Sequence, residues 1–140
     1  MTREDKELLL KDLCARLPYG VKMNHIADDE HSPKTLIGVA KDMITLEGLG
    51  GYECVDVEDY KPYLFPLSSM TEAQQEEFDR IYADDMQVVA NNLKNRLDGK
   101  PYERNLGHYR HIDWLNANHF DYRGLIPKGL AIDATGLNIY

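Results

Sequence analysis

The chain has only two cysteines, one tryptophan and fewer basic than acidic residues, and no apolar run long enough to span a bilayer. Each shortage excludes something. Cys14 and Cys54 are too few for a disulfide framework or a zinc pattern. Cys14, on the apolar side of a first helix, and Cys54, in a strand-like run, read as buried free thiols. Membrane spans take ~18 or more consecutive apolar residues, and none approaches that. With 16 Lys+Arg against 24 Asp+Glu the net charge is −8, which repels phosphate backbones and weighs against nucleic-acid binding. The N-terminal residues Met1 to Lys6 are charged with no apolar segment behind them, so a cytoplasmic protein without a signal peptide is expected. Catalytic signatures are also missing. There is no Gly-x-Ser-x-Gly elbow and no His-Glu-x-x-His, and Gly48-Leu-Gly-Gly51 lacks the spacing and helix start of a dinucleotide loop.

What is present is enough for a core. The 140 residues are 43% hydrophobic, and a chain of this size buries roughly 68–70% of its unfolded surface. The chain is organised around Lys61-Pro-Tyr-Leu-Phe-Pro-Leu-Ser-Ser-Met70. Pro62 and Pro66 argue against both a helix interior and a central strand. Tyr63, Leu64, Phe65 and Leu67 are too apolar for a solvated linker, so residues 61–71 read as an extended seam.

Before the seam, Thr2 can cap a helix whose Leu9, Leu10, Leu13, Cys14 and Leu17 make one apolar face. Pro18 and Gly20 stop it. Short strand patterns follow at 21–26, 35–39, 43–46 and 52–57, separated by polar or glycine-rich turns. After the seam, Thr71-Glu-Ala-Gln74 matches a capping box. Phe78, Ile81, Tyr82, Val89, Leu93 and Leu97 continue a helical stripe to a stop at Gly99 and Pro101, with a potential break at Ala83-Asp84-Asp85. A short helix is expected over 108–119, then an aromatic turn and two terminal strands at 131–132 and 137–140. The expected fold is α+β in a single domain: an N-terminal helix and a small antiparallel meander or open barrel of four or five short strands in 1–60, the seam, and a mainly helical half in 72–140.

Two clusters merit a functional reading. His108 and His111 share a helix face and His119 follows, but His-x-x-His alone is a weak metal signal. Trp114, His119, Tyr122 and Arg123 are the partner-binding candidates, since Trp, Tyr and Arg dominate binding hot spots. The favoured alternative is that Trp114, Phe120 and Tyr122 plug the core where the tail folds back.

Three phrases carry a resemblance: Leu8 to Val21, Lys61 to Thr71, and Asn118 to Ile126 followed by Gly129 to Ile132. Together they resemble a group of small uncharacterised proteins of gut anaerobic bacteria, often associated with integrated phages or other mobile elements. The resemblance covers about a third of the chain. It implies a bacterial or phage intracellular setting and brings no activity and no catalytic residues.

The leading expectation is a non-enzymatic interaction or regulatory protein with an unknown protein partner, no cofactor or metal, and dimerisation through the long helix. The competing one is a small metal-dependent hydrolase or nucleic-acid-processing enzyme using His108, His111 and His119 with Asp113 or Asp121. A third is acidic DNA mimicry, with carboxylates spaced like phosphates along the long helix.

Overall fold

A computed structural model describes residues 1–100 and 109–140 of the chain. These fall into two compact units, Met1–Ser69 with His119–Tyr140, and Met70–Asn118. Packing therefore assigns the last 22 residues (119 to 140) to the β-rich unit, although chain order sets them after the long helix.

The first unit opens with α1, Arg3–Arg16. Thr2 and Asp5 close its N-terminus reciprocally: Thr2 Oγ1 accepts from the Asp5 amide at 3.1 Å, and Asp5 Oδ2 from the Thr2 amide at 3.4 Å. Pro18 and Gly20, with Gly20 at φ +67°, end the helical path. Four strands then run as an antiparallel meander: β1 (Lys22–His25), β2 (Lys34–Val39), β3 (Met43–Gly48) and β4 (Gly51–Asp56). β5 (Tyr60–Leu64) returns to the other side of β1. A two-residue β6 (Ile132–Asp133) adds in parallel beyond β5. The sheet is six-stranded, ordered β4-β3-β2-β1-β5-β6, and is not closed into a barrel. Residues 137–140 form no strand.

The α+β class matches expectation, but the seam is corrected. Residues 60–64 are a strand inside the sheet, with Pro62 buried and paired opposite Met23. Register explains why proline is tolerated. The Ile26 amide donates to the Asp59 carbonyl, so alternate pairs along this ladder are hydrogen-bonded. That alternation makes Met23–Pro62 a non-hydrogen-bonded pair, and the missing amide faces away from β1. On that side the ladder to β6 begins only at Tyr63.

α1 lays Leu9 and Leu13 on the sheet's inner face, where Val21, Met23, Leu36, Ile44, Leu46 and Leu64 are all at most 1% exposed. Each such side chain contributes roughly 1.5–3 kcal/mol by leaving water. Cys14 is exposed, contrary to the buried thiol expected. The buried face of α1 is Leu9, Asp12, Leu13 and Arg16. Cys14 is one residue beyond Leu13, so about 100° around a helix of 3.6 residues per turn. Cys54 is likewise free and exposed on the edge strand β4.

The second unit is a helical hairpin of α2, Glu72–Leu97, and α3, Arg110–Ala117. The Thr71–Gln74 capping box forms as expected. α2 runs its 26 residues without the break anticipated at Ala83–Asp85. Phe78 packs its ring 5.8 Å from that of Trp114, and Tyr82 meets the His111 ring edge-on at 5.1 Å. Among the described residues no helix is long and apolar enough to cross a membrane.

Candidate functional site

The charged residues that stand out in the first unit lie on the buried face of α1. Asp12 and Arg16 are both 0% exposed. Arg16 Nε donates to Asp12 Oδ2 at 2.7 Å and its Nη2 to Asp12 Oδ1 at 3.2 Å, a two-point grip. The same Nη2 donates at 2.7 Å to the carbonyl of Phe120, 104 residues along the chain. Arg123 Nε approaches Asp12 Oδ1 at 3.3 Å, and both guanidinium groups lie over the Tyr122 ring, at 5.2 Å for Arg16 and 5.1 Å for Arg123. Burial pushes the Asp12 carboxyl above its ordinary range; Arg16 and Arg123 oppose this without cancelling it. Asp121 ties off the next turn by accepting from the Leu125 and Ile126 amides at 2.8 and 2.9 Å.

His119 stands at the start of this returning segment with φ +61°, a left-handed conformation uncommon outside glycine. Its ring stacks on Tyr140 at 3.6 Å and 10° between planes. The Tyr140 hydroxyl donates to the Tyr63 carbonyl at 2.8 Å and accepts from the Lys22 amide at 3.0 Å. Burial first, then the charges of Arg16 and Lys22, push the His119 imidazole down to about 4, so it is neutral at pH 7.

Near the far end of β5, the buried Tyr63 hydroxyl sits 2.6 Å from His31 Nδ1. Burial, and then the Asp28 carboxylate, raise that hydroxyl to about 12, so it holds its proton. A hollow of about 220 Å³ beside it is lined by residues including Asn24, His25, Asp28, His31 and Lys61. Asp28 is already engaged there, accepting from the Glu30 and Ser32 amides.

In the second unit Asp85 is the one fully buried charge among the described residues. It accepts from the His111 amide at 2.8 Å, meets His111 Nδ1 at 2.6 Å and takes a longer contact of 3.4 Å from Arg110 Nε. Burial raises the Asp85 carboxyl, but these hydrogen bonds outweigh it and the net displacement is downward. Its stabilisation is therefore present above the ordinary carboxylate range and is lost as pH falls through the lowered value. Asp85→Ala is expected to cost about 2–3 kcal/mol by stranding the His111 donors, seen as an earlier loss of helical circular dichroism on heating. A change below about 0.5 kcal/mol would show that the pair does not hold the hairpin.

The expected binding residues are thus divided. His119, Tyr122 and Arg123 belong to the first unit and Trp114 to the second. Tyr122 and Arg123 gather on Asp12 and Arg16 of α1 as an internal clasp, His119 stacks on Tyr140, and Trp114 packs on Phe78. His111 and His119 also belong to different units, while His108 lies outside the described residues. Among the described residues, no group of three or more His, Cys, Asp and Glu could hold a metal ion. Asp12 and Arg16 were missed in the sequence. Their signal is spacing: they fall at the same 3–4 interval as Leu9 and Leu13, an ion pair written into an apolar face. No known protein family, curated protein or solved structure matches the chain.

The surface of α2 differs from these internal sites. Tyr82, Met86, Val89, Leu93 and Leu97 all remain exposed, Val89 at 43%, Leu93 at 59% and Leu97 at 80%. Their 4-3-4-4 spacing sets them on one stripe. The stripe adjoins the face that packs Phe78 and Asp85 against α3.

Proposed function

We propose that the protein is a non-enzymatic interaction or regulatory protein that docks a partner helix along α2. The observation that carries this is the exposed apolar stripe from Tyr82 to Leu97. A helix confined to its own hairpin gains nothing from leucines in water, whereas a helix-in-groove contact uses apolar side chains at this spacing. The polar clusters support the same reading. Asp12, Arg16, Asp121 and Asp85 spend their hydrogen bonds inside their own units, which is the economy of a scaffold. A bacterial or phage intracellular setting, with the protein serving a mobile element, fits the resemblance carried by the three sequence phrases.

The test is a photo-crosslinking residue placed at Leu93, and at Tyr52 on the sheet as a control, in the full chain expressed in a bacterial cell. A discrete protein adduct from Leu93, absent from Tyr52 and abolished by adding Leu97→Asp, is expected. Leu97→Asp itself should change folding stability by no more than about 0.5 kcal/mol, as exposed substitutions do. Failure of Leu93 to yield any discrete adduct in the folded protein rejects the docking face.

A further inference from the structure

We propose that the occupant of the α2 stripe is a second copy of this chain, with the two α2 helices antiparallel; this rests on the docking reading above. Two features point to the partner. The first is that the stripe is self-complementary when reversed. Its ends are Tyr82 and Leu97, its inner pair Met86 and Leu93, and Val89 lies near the middle. Reversing one copy at full overlap sets Tyr82 against Leu97, Met86 against Leu93, and Val89 beside its own counterpart.

The second is charge. The N-terminal part of α2 is acidic, with Glu72, Glu76 and Asp79 bordering the stripe at helical spacing, and its C-terminal part carries Lys94 and Arg96. A parallel pair would stack acid on acid and base on base. An antiparallel pair avoids this: at the overlap above, Arg96 of each copy falls opposite residue 83 of the other and Lys94 opposite residue 85, four and six residues from Asp79. Charge pattern at the flanks of an apolar seam selects helix orientation in this way. The net charge of −8 makes the orientation matter more, because two copies repel unless the basic ends are used.

Five side chains are a small seam. Stable interfaces bury about 800 Å² per partner, so this pair is weak, with a dissociation constant on the order of micromolar.

The experiment uses the full chain with Cys14→Ser and Cys54→Ser. Sedimentation equilibrium across about a hundredfold range of concentration is expected to carry the mass from 16.1 kDa toward twice that value. Leu93→Asp should return it to monomer with unchanged circular dichroism. Single cysteines then read orientation under mild oxidation. Val89→Cys should form a homodimeric disulfide. Tyr82→Cys and Leu97→Cys should fail alone and cross-link when mixed. Self-cross-linking of Leu97→Cys and Tyr82→Cys, each alone, overturns the antiparallel pair in favour of a parallel one. A monomer at every concentration overturns self-association altogether. In that case a Leu93 photo-adduct heavier than the chain but not a second copy of it would leave the docking reading standing, and no adduct would remove both.

Discussion

Arg16→Met is expected to destabilise the protein by about 3–5 kcal/mol, lowering the melting temperature by roughly 10–20 °C. The substitution removes the partner of a carboxylate that is 0% exposed. It also removes the donor to the Phe120 carbonyl, the link between α1 and residues more than one hundred positions away. Breaking one side of a buried pair costs more than the pair contributes, because the remaining charge is left without water or partner. Arg123 at 3.3 Å from Asp12 does not replace Arg16, since it makes one long contact where Arg16 makes two. The double variant Asp12→Leu/Arg16→Met should recover most of the loss, because an apolar pair of similar volume suits the same site. Urea unfolding of the two variants beside the parent decides it. A loss under about 1 kcal/mol for Arg16→Met would mean that the clasp does not hold the returning segment.

Acidification is expected to loosen the same segment through His119. The unfolded imidazole takes up its proton near 6.5, and the folded one resists until about 4. Between those values the unfolded state binds more protons, so stability rises with pH across the window. The stabilisation is fully present above about 6.5 and is lost progressively as pH falls toward 4, amounting to about 3 kcal/mol from this group. Asp12 acts in the opposite sense at the acid end, because its carboxyl is displaced upward. His119→Asn keeps a residue that tolerates φ +61° and removes the titration. Unfolding free energies at pH 7 and pH 5 should therefore differ clearly in the parent and much less in His119→Asn. Equal pH dependence in both proteins would assign the acid sensitivity to another group.

Local chemistry made the helices legible. Thr2 with Asp5 and Thr71 with Gln74 are reciprocal caps, and each needs only residues three apart. Gly20 and the alternating strands of residues 22–56 are equally local signals. Pro62 misled because a proline in a strand is judged against an average ladder. Its actual neighbours place the missing amide on the side where β6 begins only at Tyr63. Ala83-Asp84-Asp85 resembled a helix break because three residues cannot reveal that Asp85 is held by His111, 26 positions away.

The sequence by itself determined where α1 and α2 begin, the antiparallel meander, the α+β class and the unbroken supply of apolar residues along α2. Each of these depends on spacing, capping or alternation within a few residues. Only the tertiary structure decided that residues 119–140 belong to the β-rich unit, that Asp12 and Arg16 are interior, and that Val89, Leu93 and Leu97 stay exposed. The reason is physical. A periodic pattern says that a face is apolar, but whether water touches it depends on which distant segment arrives to cover it.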